Sequence, residues 1–159
     1  MTNFCRFVQA LALGAWIGAI IFFAGVVTRG AFAVLSSRDE AGALVGFTLA
    51  GLHEMGVIAA VIYLVAAVGM ARSWRGLGKP AAFAVILMLA LTLTSQRIVI
   101  PRMDALRAEM GSVDATATSN PLRAEFDRLH GVSVDIEGAV LVIGLVAMWL
   151  TMRREGATE

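Results

Sequence analysis

Four long runs nearly free of charge fill most of this chain: 7–28, 41–71, 80–96 and 130–152. A helix in water keeps a polar face, so uncharged stretches of this length, repeated four times, call for an oily solvent. Composition agrees. The hydrophobic fraction is 58% and the mean hydropathy +0.79, above the roughly 45–50% apolar content of globular chains. The fold class that follows is all-α, an integral membrane four-helix bundle, with residues 1–159 forming a single four-span domain.

Local signals set the expected boundaries. The first span covers about 7–35 and carries a stripe of small residues, Ala10, Gly14 and Gly18, that permits close helix approach in lipid. Arg6, the apolar stretch and Ala31-Phe32-Ala33 imitate a secretion signal. The stretch is longer than the roughly 7–15 residues of a signal core, so a retained span is expected. Ser37 with Glu40 three residues on forms a capping box that starts the second span at Arg38. Gly42, Gly46 and Ala50 then repeat the small-residue stripe. The second span ends near Ala71 and would be about 50 Å long, well over a bilayer core of about 30 Å, so helices extend beyond the bilayer on one side.

Pro80 opens the third span as a first-turn proline, and Pro101 marks a kink or break near its end at residue 100. Met103, Leu106 and Met110 give 102–110 the spacing of a short amphipathic helix, at the interface or on the bundle. A polar loop over 111–119 leads to Asn120-Pro121, an N-cap and first-turn pair that opens the last span, 121–152.

Loop charge orients the chain. Arg6, then Arg72, Arg75 and Lys79, then Arg153 and Arg154 fall on one side of a four-span protein in short segments almost without acids. The positive-inside rule then places both termini in the cytoplasm and the protein in the inner (cytoplasmic) membrane, with Trp74 and Trp149 as interfacial anchors.

The charges that interrupt the spans are Arg29, His53, Glu54, Arg97, His130, Asp135 and Glu137. Measured from the basic end at 1.5 Å per residue, Glu137 lies about 23 Å up, Arg97 and Asp135 about 26 Å, His53 about 28 Å, and Arg29 and His130 about 33 Å. All four spans contribute to this one band, and ionisable groups at such depth are costly enough to be the first place to look for function. On the last helix Asp127, His130, Val134 and Glu137 share a face, while Asp135 points about 140° from His130. Glu137 is therefore the better candidate to turn inward, and the neighbours His53 and Glu54 cannot face the same way.

Two readings of the band follow. In one, Arg29 and Arg97 pair with Glu54 and Glu137 in an interhelical network that the histidines join as donors. In the other, His53 and His130 bind haem b or copper, with Met55 and Met103 as further soft ligands. No bound cofactor is the default expectation.

Several function classes are disfavoured. A net charge of +1 offers no basic face for nucleic acid. The single Cys5 excludes an internal disulfide and a multi-cysteine metal site. There is no nucleophile–base–orienter set, Gly-rich phosphate loop or HExxH motif, so catalysis is not expected, and Ser95, Ser112, Ser119 and Ser133 read as hydrogen-bonders. What remains is a scaffold or accessory subunit of a membrane complex or homo-oligomer, a haem or copper protein, or a small transporter. The uncharged half of every span argues against a conduction path.

Trp16-Ile17-Gly18 with Phe22-Phe23, Ala41-Gly42-Ala43 with Leu52-His53, Pro101-Arg102, and Phe126 through Ser133 (FDRLHGVS) form a recognisable set. With them the chain resembles a bacterial four-span family classed as a domain of unknown function and related to eukaryotic transmembrane protein 205. The resemblance implies a four-helix membrane fold and no settled activity. The eukaryotic relative's association with metal-drug resistance implies metal handling by analogy alone. The family pattern has an amide where this chain has Glu137, so no role for that carboxylate carries over.

Overall fold

The computed structural model describes residues 2–153, and Arg154 of the basic end lies outside them. Helix α1 (Thr2–Phe22) passes through a π-turn at Phe23–Val27 into α2 (Thr28–Val34). Helix α3 (Arg38–Ala71) is followed by a 3-10 turn at Trp74–Gly78. Helix α4 (Pro80–Thr94) passes through a second π-turn at Ser95–Val99 into α5 (Ile100–Met110), and α6 (Pro121–Met152) closes the bundle. Four helices are thus long and apolar enough to cross a membrane. The fold is an all-α membrane bundle.

Caps fix where the helices start and stop. Ser37 Oγ accepts the Glu40 N–H at 3.1 Å, but Glu40 does not complete the box, because its carboxylate accepts from Ser36 Oγ at 2.9 Å. Asn120 Oδ1 accepts the Leu122 N–H at 2.9 Å, with Pro121 next in the first turn. Helix α3 stops at Arg72, a non-glycine residue held in the left-handed region at φ 50°.

Pro101 does not break its helix. The chain is continuously helical from Pro80 to Met110. The Ile100 N–H reaches back five residues to the Ser95 carbonyl, and this wide turn lies just before the proline. It supplies the slack that a missing N–H and a ring crowding the preceding turn require. Segment 102–110 is the far part of this same helix and packs on α6, with Leu106 buried.

The spans surround a common core in the order α1, α3, α4, α6 and back to α1, each packed on its two neighbours. The core is Leu13, Trp16, Ile17, Val85, Met88 and Val140, filled in by Ala60 and Ala147. Outside it, Phe4, Phe7, Phe47, Phe83 and Val65 are exposed, as a lipid-facing surface should be. Trp74 and Trp149 are exposed at the end that carries both termini, hereafter the terminal end, and the Arg153 guanidinium lies 4.3 Å over the Trp149 ring.

Close approach falls on other glycines than those of the expected stripes. Gly18 is open and Gly14 meets only the end of Met148, while Gly42 and Gly46 lie under the Arg107 side chain. Between spans the tight points are Gly56 and Gly144, while Gly76 is tight against the Ala67 carbonyl in the turn that follows α3. A methyl at Gly56 would stand 2.5 Å from the Trp16 indole, and one at Gly144 would stand 3.0 Å from both Ile17 and Met88. Lipid tails are as apolar as leucine, so these contacts, rather than apolar burial as such, hold the helices in place. Gly56→Ala should therefore lower the detergent melting temperature by the equivalent of about 1–3 kcal/mol of overpacking. Gly138→Ala, at an open position, is the control expected to leave the melting curve in place.

Candidate functional site: a lateral groove and a buried His–Glu pair

The two π-turns bend the bundle open at its distal end, the one away from the termini. There the Thr28 N–H bonds to the Phe23 carbonyl, five residues back, and beyond this turn α2 packs on α3 while α5 leans on α6. The gap between the first and last spans is a cavity of about 570 Å³, within the range of about 300–1,000 Å³ typical of ligand pockets. Along α6 it extends from Arg123 to Leu141, about 27 Å at 1.5 Å per residue. Ile20, Phe23, Leu49 and Leu141 line its deep part, and Phe32 and Val134 on its walls are exposed. The groove thus opens sideways between the helices.

Its distal end is a set of paired charges. Asp39 accepts from Ser112 Oγ at 2.5 Å and from the Val113 N–H at 3.0 Å, pinning the 111–119 loop to the start of α3. Arg123 donates to both oxygens of Asp127 at 3.0 Å and to the Val113 carbonyl. Arg107 lies 5.5 Å over the Phe126 ring and 3.6 Å from Asp104. His130 stacks on Phe126 with ring centroids 6.4 Å apart.

Deep in the groove stands Glu137. Its Oε1 meets His53 Nε2 at 2.5 Å, and the side chains are 15% and 2% exposed. The bond crosses the middle of the bundle, because α3 and α6 are not neighbours in the ring of helices. His53 Nδ1 is buried without a partner. An imidazolium would leave an unpaired N–H there, whereas a neutral ring with its proton on Nε2 donates to Glu137 and leaves only a bare lone pair. No other hydrogen bond to Glu137 forms among the described residues.

Of the seven residues in the band, the structure joins only these two. Arg29, Glu54, Arg97 and Asp135 are exposed and form no ion pair among the described residues. The network expected from Arg29 and Arg97 to Glu54 and Glu137 is therefore absent. Each helix step turns a side chain by about 100°, so Glu54 and Asp135 face away when His53 and Glu137 face in.

The two histidines are also apart. His53 is taken by Glu137, and His130 sits seven residues along α6, about 10 Å toward the distal end. Among the described residues no three His, Cys, Asp or Glu side chains converge as metal ligands. Met103 lines the groove and Met55 is half-exposed. Ser112 and Ser133 line or brace the site, but Ser95 Oγ, in the second π-turn, is buried without a partner, contrary to its expected hydrogen-bonding role. Asp39, Arg107 and Arg123 escaped the sequence reading because they lie outside the apolar runs. Their only signal was adjacency to helix ends.

A family described as Domain of unknown function (DUF4149) matches residues 11–112, and the chain belongs to it. The match covers the first three spans and stops short of α6, which carries Glu137. Comparison with curated proteins and with solved structures finds no match.

Removing one partner of the buried pair should cost more than removing both. His53→Ala leaves a carboxylate without its donor, expected to destabilise by about 3–5 kcal/mol. In His53→Leu/Glu137→Leu, melting in detergent should return close to the wild-type value. A double variant as unstable as the sum of the single losses would show that the bond contributes nothing beyond packing.

Proposed function

We propose that the protein is a non-enzymatic scaffold or accessory component of a complex in the cytoplasmic membrane, and that it binds a hydrophobic ligand in the groove between the first and last spans. One observation carries this reading: a groove walled by Phe23, Leu49 and Leu141 runs about 27 Å along α6 and holds the Glu137 carboxyl group one turn from its deep end. Soluble and membrane cores alike fill such space unless something occupies it. Support for the accessory role comes from Glu54, Arg97 and Asp135, which stand exposed at one depth with no internal partner. Charges at this level are costly against hydrocarbon and are relieved by a neighbouring polar surface.

A cofactor-based role has less support. His130 lines the groove while His53 is buried beside it, and His53 Nε2 is engaged by Glu137. A conduit also has less support, because Leu13, Trp16, Ile17, Met88 and Val140 fill the core between the groove and the terminal end.

Extraction of native membrane into polymer discs, followed by mass spectrometry, tests both halves of the proposal. Wild-type discs should hold a hydrophobic small molecule that Gly138→Trp discs lack, since Gly138 lines the groove and its methyl position is open. A co-extracted membrane protein should be lost in Arg97→Glu and kept in Gly138→Trp. Identical contents in wild-type and Gly138→Trp discs would remove the ligand-binding role.

Both termini on the cytoplasmic side is the orientation we infer from the basic residues near Trp74 and Trp149. The labelling site must be chosen with care: Gly76 packs against the Ala67 carbonyl and tolerates no side chain, whereas Gly78 is open. In a Cys5→Ser background, Gly78→Cys should resist an impermeant maleimide in intact cells and react after permeabilisation. Reaction in intact cells would reverse the orientation.

A further inference from the structure

We propose that the occupant of the groove is a lipophilic cation: an amphiphile whose positive head rests on Glu137 and whose apolar body lies along Ile20, Phe23, Leu49 and Leu141. This rests on the ligand-binding reading above and adds the chemical class.

The first argument is the carboxyl group at the deep end, of which His53 Nε2 engages only one oxygen, Oε1. The second oxygen makes no hydrogen bond among the described residues, and Glu137 lines the cavity. A carboxylate in a low-dielectric groove attracts a positive group strongly, because little water is present to screen it.

The second argument is the balance of the whole lining, where five carboxylates face three guanidiniums. Two of the three guanidiniums are already engaged. Arg123 is held by Asp127 and the Val113 carbonyl, and Arg107 by Asp104 and the Phe126 ring. Arg38 stands exposed at the rim.

The third argument separates an organic cation from a metal ion. Glu137 is a lone carboxylate, with no group of three metal-ligating side chains formed among the described residues. Around it are aromatic and branched apolar walls, which favour a cation that carries its own apolar surface over a hydrated ion.

Three probes with one tail and different heads test the class: dodecyltrimethylammonium, dodecanol and dodecyl sulfate. Each is measured in radiolabelled form by equilibrium dialysis against the full-length protein in phosphatidylcholine nanodiscs, with empty nanodiscs as background. Dodecyltrimethylammonium should bind above background. Glu137→Gln should weaken it by about tenfold or more, and Gly138→Trp should abolish it. Glutamine keeps an oxygen to accept from His53 Nε2–H, so the fold should survive that change. Gly138→Trp leaves the pair untouched and serves as the second variant should Glu137→Gln misfold.

If dodecanol or dodecyl sulfate binds as tightly as the cation and Gly138→Trp blocks it, the cation class is wrong while the groove remains a binding site. Cation binding that is unchanged in Glu137→Gln overturns the assignment of the head to that carboxylate. If no probe exceeds empty nanodiscs, the groove reading falls as well.

Discussion

The hydrogen bond between His53 and Glu137 joins two helices that otherwise do not pack on each other. In a four-helix ring each helix rests on two neighbours, and the diagonal pair meets only through long side chains reaching across the centre. Here α3 and α6 are that diagonal. A second cross-tie lies nearer the terminal end, where the Tyr63 hydroxyl and Thr151 Oγ1 meet at 2.7 Å. Between the ties the centre is packed with Ala60, Val140, Gly144 and Ala147, small enough to let the neighbouring helices close in. Polar ties at two levels and small residues between them fix the diagonal without any direct helix–helix contact. In lipid, where apolar burial does not favour one arrangement of helices over another, such bonds select which packing is adopted.

The groove follows from the same geometry combined with two backbone events. Each π-turn adds a residue to its helix and re-aims what comes after it. After the first, α2 moves onto α3, and after the second, α5 moves onto α6. The distal halves of the first and last spans are then no longer in contact, and the space between them exposes one side of the His53–Glu137 tie. The 111–119 loop, pinned by Asp39 and Arg123, covers the distal end of this space. What remains open is the side between the first and last spans.

The spans and the polar band were legible in the sequence because both depend on counting residues along one helix. Uncharged runs mark the spans, and equal distance from the basic end marks the band. Partner choice within the band was not legible. His53 and Glu137 are separated by two helices in the chain, and no local spacing rule links them. Glycine roles were misjudged for the same reason. The stripe at Gly14 and Gly18 has the right period, but Gly56 and Gly144 are the residues that face bulky partners on other helices. The π-turns leave no sequence signature that a pattern count detects, and the residues that flank them, Phe22, Thr28, Thr94 and Ile100, keep ordinary helical dihedral angles.

Comparing the two cross-ties shows what stability alone does not explain. Tyr63 and Thr151 join α3 and α6 with neutral hydroxyls, and Thr151 also donates to the Ala147 carbonyl at 2.7 Å, so its polar atom is satisfied. That is all a structural tie needs. The distal tie does the same mechanical work at greater cost, with Nδ1 of His53 buried and without a partner among the described residues and one oxygen of Glu137 left facing the groove. Replacing both partners of a buried hydrogen bond by apolar groups of similar shape is often neutral or favourable for stability. A neutral pair like the terminal one would hold the helices equally well. The free oxygen of Glu137 thus faces the open side of the groove rather than the closed core behind it.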